Sequence, residues 1–341
     1  MTEPRRTPIG IKAVAQLAGV SVATVSRVLN DSGPVSEELR KRVLHVIDEA
    51  GYQPNLLARG LRTQQSGVIG LVLPSVSNEH FSGITRALQD YCSHHGFTVL
   101  VSNSDGRIEN EVDAMRTLAA RRVDGIALVS SSLSPTPALE DLLDRGVPMV
   151  AIDRAISEVP IDQFLVDIFA GTRDAVLHLA GQGRQRIAFA AGPTRLWTAK
   201  EKLRGYRDGI RRAGLSAGPI LPGDHTLESG IQQARSLLAL DPRPDAVIFA
   251  NNVMALGGLQ VLMRSDVRIP EELAIINFDD APWTNVVRPS LSVIAQPIYE
   301  MGRLAAEALV RRINSPDAVS SKTEVLPTRF VERESTAAAT R

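Results

Sequence analysis

A chain of 341 residues exceeds what one hydrophobic core of ordinary size organises, so two or three compact units are expected. Hydrophobic residues make up 44% and charged residues 22%, a balance that excludes a disordered chain, and only the closing "STAAATR" is compositionally biased. The formal charge is zero overall, yet residues 1–66 carry nine Lys/Arg against six Asp/Glu, a local surplus of three that hints at nucleic acid.

The first residues, "MTEPRRTPIGIKAV", lack the apolar core and small-residue cleavage site of a secretory signal, and no run of about 18 apolar residues could span a bilayer. The expected compartment is therefore the cytoplasm, with no membrane partner. The one cysteine, Cys92, excludes an internal disulfide and a Cys-rich zinc site. His94 and His95 have no acidic or sulfur ligand nearby in sequence, so neither metal nor cofactor is expected.

From Ile11 to Gly51 the pattern is helical throughout: "IKAVAQLA", then "SVATVSRVLN", then "SEELRKRVLHVIDEAG". Gly19 ends the first helix, Ser21 caps the second, Ser36 opens the third and Gly51 closes it. The stretch "AVAQLAGVSVATVSRVL" fits a helix-turn-helix, with Ala15, Gly19 and Val25 packed at the turn. Val22, Ala23, Ser26 and Arg27 fall on the remaining face. Arg27 is the long donor that matches guanine O6 and N7, whereas Ser21, Thr24 and Ser26 suit phosphate oxygens. A plain three-helix bundle with a solvent-facing arginine is the competing reading.

"YQPNLLARGLRTQQSG" follows, one helical turn begun by Pro54 and Asn55 and then a polar linker, which puts a boundary near residue 66. Apolar runs then alternate with amphipathic segments from "GVIGLVLP" to "VPMVAID", and the alternation restarts after "FLVDI" and runs to "LAIINFDD". That is the pattern of parallel sheets covered on both faces, in two α/β units near 67–162 and 163–294. "LSVIAQPIYEMGRLAAEALVRRI" has a helical repeat, and "TEVLPTRFVER" reads as a final strand.

An open parallel sheet binds ligands beyond the carboxyl ends of its strands. Candidates there are Ser75, Asp105, Ser130, Asp153 and Arg154 in the first unit, and Thr198, Asn251 and Asp279 in the second. No G-x-G-x-x-G follows a strand, and neither a G-x-x-x-x-G-K-[ST] loop nor a G-x-S-x-G elbow occurs, which argues against an enzyme.

The run from "IKAVAQLAGVSVATVSRVLNDSG" to "GLVLP" resembles the N-terminal signature of LacI-type (lactose-repressor family) transcription regulators. The resemblance continues through "RRVDGIAL", "VPMVAIDR", "LRGYRDGIRRAGL", "PDAVIFANNVMALG" and "INFDDAPW". It implies an all-α, three-helix headpiece (1–52), a hinge helix and linker (53–66), and an α/β core of two Rossmann-like subdomains like those of periplasmic sugar receptors. The core would divide into 67–162 with 295–319, and 163–294 with 320–341. It also implies a homodimeric repressor on pseudo-palindromic double-stranded operator DNA, controlled by a sugar or sugar derivative. The alternatives are an α/β sugar-processing enzyme, which lacks its phosphate loop, and a secreted sugar receptor, which leaves the headpiece unexplained.

By the same resemblance, base choice falls on Val22, Ala23 and Arg27, with Asn30 completing the reading segment. The hinge helix is "NLLARGLR": Leu61 wedges between central base pairs, Ala58 meets its mate and Arg59 lies near phosphate. Gly60 departs from the family and costs about 1 kcal/mol against Ala in a helix, so the hinge is expected to fold only on operator. In the effector cleft Phe81 packs on the ligand, Asn251 and Asp279 take hydroxyls, Gln296 lies at a crossover and Asp153 lines the rim. Lys202 stands where an arginine is usual, and His225 where an aromatic ring often stacks. Asn252 and Ile168 are further departures. A sugar acid or phosphorylated sugar is thus open beside a plain pentose or hexose. Trp197 and Trp283 read as buried first and cleft-lining second.

Overall fold

The computed structural model describes residues 9–29, 33–52, 65–315 and 320–337, in two compact units divided after Ser66. In the first, helices α1 (Ile11–Ala18), α2 (Val22–Leu29) and α3 (Glu37–Glu49) enclose a small core. Val14, Ala15 and Ala18 share one face of α1 and meet Val25 and Val28 of α2 and Val43 of α3, all buried. The turn between α1 and α2 needs a left-handed residue, which Gly19 supplies at φ 64°. The two helices are bent by 102° there, within the helix-turn-helix range. Ser21 Oγ accepts the Thr24 N–H at 3.1 Å and Ser36 Oγ accepts the Leu39 N–H at 3.4 Å, so the expected caps are made.

The second unit holds two six-stranded sheets. Its elements in order are β1 (Val68–Leu73), α4 (Glu79–His94), β2 (Thr98–Asn103), α5 (Ile108–Ala120), β3 (Gly125–Leu128), α6 (Pro137–Asp144), β4 (Met149–Ile152) and β5 (Asp162–Val166). They continue as α7 (Ile168–Gly181), β6 (Ile187–Ala190), α8 (Trp197–Arg212), β7 (Ile220–Leu221), α9 (Leu227–Leu238), β8 (Ala246–Phe249), α10 (Asn252–Leu262) and β9 (Ala274–Phe278). β10 (Ser292–Ala295), α11 (Ile298–Asn314), β11 (Thr323–Leu326) and β12 (Arg329–Val331) close the chain.

The first sheet is parallel throughout, in the order β11-β5-β4-β3-β1-β2; the second runs β12-β10-β9-β8-β6-β7, with only β12 antiparallel. In each, the strand order reverses beside the first strand, at β1/β3 and β6/β8, where a crevice opens beyond the carboxyl ends. Buried strands such as "GIAL", "MVAI" and "AVIF" are apolar at successive positions because helices cover both faces. Among the described residues no single helix is long and apolar enough to cross a membrane.

Two expected boundaries are corrected. The division at 162/163 cuts through β5, whose Asp162 is opposite Val150 of β4, so the first half extends to Val166. The tail 320–341 does not belong to the second half alone. β11 pairs with β5 in the first sheet and β12 with β10 in the second. The expected single strand "TEVLPTRFVER" breaks at Pro327, which offers no N–H to a ladder, and the chain changes sheets there. The chain thus crosses between halves three times, after Val166, after Ala295 and after Leu326.

Helices α9 and α10 touch through glycines. A methyl group at Gly257 would overlap the Leu227 carbonyl, and one at Gly230 the Met254 carbonyl. Backbone cannot retreat as a side chain tip can. Gly257→Ala is therefore expected to lower stability by about 1–3 kcal/mol, measured as an earlier urea midpoint.

Candidate functional site

In the headpiece, Val22 is 40% exposed, and Ala23 and Arg27 are also exposed, so the face expected to read bases is open. Thr24 and Ser26 are half-buried. Ser21 and Thr24 share a hydrogen bond at 2.9 Å between their hydroxyls, which ties both into the cap that starts α2. Asn30 and the hinge positions Ala58, Arg59 and Leu61 lie outside the described residues.

In the core, one cavity of about 510 Å³ lies between the carboxyl ends of the two sheets. Ser75, Phe81, Asp153, Thr198 and Lys202 line it, as do His225, Asn251, Asp279 and Gln296. All nine positions expected to face an effector are therefore brought together. Asp105 and Arg154 line it too, whereas Ser130 does not: its hydroxyl donates to Glu111 behind the strand, and its carbonyl accepts Arg154 Nη1 at 3.0 Å. Trp197 and Trp283 pack half-buried against the core and are not in the lining.

The cleft's charged groups form one connected array. His80, on the first turn of α4, places Nε2 at 2.8 Å from Asp153 Oδ1 and Nδ1 at 3.3 Å from Asp279 Oδ1. Burial pulls the imidazole's pKa down, but the two carboxylates override it and raise it to about 10. Burial likewise pushes Asp279 up, and His80 and Lys202 reverse this, leaving it at about 2. Gln296 Nε2 donates to the same Asp279 oxygen at 2.6 Å. Asp153 is held below the usual carboxylate range in the same way, with burial opposed by His80 and Arg154.

Lys202 donates to the Ala250 carbonyl at 2.8 Å and lies 3.9 Å from the centre of the Phe278 ring. Its pKa is lowered by burial, against the pull of Asp279 and Asp153. His225 is driven the opposite way from His80: burial, then Lys202 and Arg154, lower it to about 3, so its ring is neutral at neutral pH. It can donate at one nitrogen and accept at the other. Gly192 leaves the room for that ring, because a methyl there would overlap it. Asn251 spends its Oδ1 capping α10, on the Val253 and Met254 N–H groups at 2.9 and 3.1 Å, which leaves its NH2 for a ligand.

Six described non-glycine residues have left-handed φ, and four of them, Asp105, Asp153, His225 and Asp279, line this cleft. Such backbone costs about 1–3 kcal/mol per residue and persists where the surroundings dictate it.

His80 is the residue that sequence reasoning missed. Its signal is placement: in "NEHF" it opens the helix after β1, so its side chain emerges at the same carboxyl edge as the loop residues. Cys92, His94 and His95 form no cluster. The thiol is buried, and the two imidazoles bond to the Asp90 and Tyr91 carbonyls.

Residues 10–55 match the model described as bacterial regulatory proteins, lacI family, and residues 176–336 match a periplasmic binding protein-like domain. A ribose operon repressor from Halalkalibacterium halodurans is 36% identical over 96% of both chains. The chain belongs to the lacI family of bacterial regulatory proteins. A lac repressor dimer bound to operator and an anti-inducer superposes with a TM-score of 0.86 at 29% identity, over 97% of this chain and 100% of that one. The transcriptional regulator CelR in complex with cellobiose gives 0.73 at 32% identity, over 96% and 99%. This lacI-family chain is a DNA-binding transcription regulator, not an enzyme.

The Asp279 carboxylate is favoured in the fold. The stability it adds is complete above the unfolded value of about 3.9 and is lost as pH falls through about 2. Asp279→Asn is expected to lower stability at neutral pH by about 3 kcal/mol, because it breaks one contact of a buried ion pair. It should also flatten the acid loss, which urea titrations at about pH 7 and about pH 3 measure.

Proposed function

We propose that this regulator is a cytoplasmic repressor that binds a pseudo-palindromic operator as a homodimer and senses an uncharged sugar in the cleft between its core halves. The observation that carries the effector reading is the mixed hydrogen-bonding character of the buried lining. Two carboxylates (Asp153, Asp279) and three cations (His80, Arg154, Lys202) are buried there, whereas Asp105, Asp224 and Arg195 are exposed to water. Hydroxyls find both acceptors (Asp153, Asp279) and donors (Asn251, Lys202), so a polyol engages both kinds of group. A ligand carboxylate or phosphate would engage the cations alone and set its charge against Asp153 and Asp279. A polyol therefore fits better than the sugar acid that Arg154, Lys202 and His225 suggest by residue type alone. The relatives named as ribose operon repressors and the cellobiose complex of CelR support the same ligand class.

Effector contacts to both halves change their relative angle and thereby operator affinity, and operator changes effector affinity by the same factor. Calorimetry with D-ribose, D-glucose and cellobiose against the matching sugar acids tests the effector reading. Saturable binding of a neutral sugar is expected, and tight binding confined to the acids would contradict it.

On DNA, the exposed Val22 and Ala23 offer only methyl contacts to thymine, so Arg27 carries most of the direct readout. Arg27→Ala should relax preference by about 1–3 kcal/mol at one position per half-site in an operator selection. A uniform loss over all sequences would make Arg27 a phosphate anchor instead.

A further inference from the structure

His80 and Asp153 belong to the half built on the first sheet, and Asp279 follows β9 of the second. The imidazole thus lies between carboxylates carried by different halves, and all three side chains are at least nine-tenths buried. A neutral imidazole has one N–H, so one of its nitrogens would set a lone pair against a carboxylate oxygen; the doubly protonated ring avoids this. The charged groups around it are Asp153 from the end of β4 and Asp279 from the end of β9, with Arg154 and Lys202 behind them.

We propose that His80 is a positioning residue, a permanently charged bridge that joins the two halves of the core across the cleft before any effector arrives. The bridge uses Oδ1 of each carboxylate. The side-chain hydrogen bonds to Asp153 and Asp279 among the described residues go to Oδ1, and Arg154 Nε lies 3.7 Å from Asp153 Oδ2. The two Oδ2 oxygens, one per half, are what the bridge turns toward a ligand. The two contacts are unequal. The Asp153 contact, within one half, is a short hydrogen bond. The Asp279 contact, between halves, is longer, and Nδ1 makes no aligned hydrogen bond. The link between halves is the one that a change of cleft angle alters first. With a pKa of about 10, the bridge stays charged at ordinary pH and is not a pH sensor.

The statement about ligand-facing oxygens rests on the sugar-effector reading; the bridge does not. Two measurements on ligand-free, full-length protein decide the bridge. Long-range proton–nitrogen spectra of the six histidines, with His80→Gln identifying the His80 signals, should show both ring nitrogens protonated up to about pH 8.5. Asp279→Asn should lower that titration midpoint. A His80 ring that titrates near about pH 6.5 overturns the proposal. Energy transfer between fluorophores on exposed residues of the two halves should fall in both His80→Gln and His80→Phe, and an unchanged separation in both also overturns it. If wild-type protein passes these tests but binds no sugar of the panel, the effector reading fails and the bridge stands.

Discussion

Two carboxylates, Asp153 and Asp279, are buried at strand ends in different sheets, and both contact the His80 imidazole between them. Moving a carboxylate out of water costs several kcal/mol even after the protein relaxes, and an imidazolium in contact with both offsets this. The rest of the cleft is arranged around that requirement. Gln296 orients Asp279, Arg154 backs Asp153, and Lys202 rests on Phe278 near enough to be felt by both. Left-handed backbone at Asp153, Asp279 and His225 aims these side chains into the space between the sheets. Burial, aided by the charges of Lys202 and Arg154, keeps His225 neutral, so one cleft holds a charged and an uncharged imidazole with different duties.

The cleft is also coupled to the connections between its halves. Gln296 follows β10 directly, on one of the three crossovers, and its amide donates to Asp279. A ligand that engages Asp279 therefore acts on a carboxylate already bonded to a crossover. Tyr206, stacked on Phe189, and the glycine-mediated contact of α9 with α10 make the second half a tightly packed body, so the proposed change of angle falls on the crossings. This is the geometry that a two-state regulator needs: rigid halves, few connections, and polar contacts that differ between angles.

Much of this was legible in the residues. Gly19, Ser21 and Ser36 mark the headpiece helices because their conformational and capping preferences are local, and the structure places them as expected. Alternating apolar runs reveal the parallel sheets for the same reason. What failed is non-local. Nothing in "FLVDI" says which sheet β5 joins, since a strand buried on both faces reads alike in either. Pro327 was visible, yet its effect, sending β11 and β12 to different sheets, depends on partners far away in sequence. His80 is not legible from the strand-end rule because it lies in the first turn of α4, beyond the loop that follows β1. The cleft positions are legible from the strand-end rule together with the family resemblance. His225 and Lys202, departures from that family, needed the structure to give them a charge state.

A sugar bound between Asp153 and Asp279 is expected to be thermodynamically linked to operator. The most direct measurement is a pair of affinities on the full-length protein: operator with and without the saturating sugar, and that sugar with and without operator. Both ratios should differ from one and agree with each other, as linkage demands. A sugar that occupies the cleft, loses its affinity in Asp279→Asn and yet leaves operator affinity unchanged would contradict it.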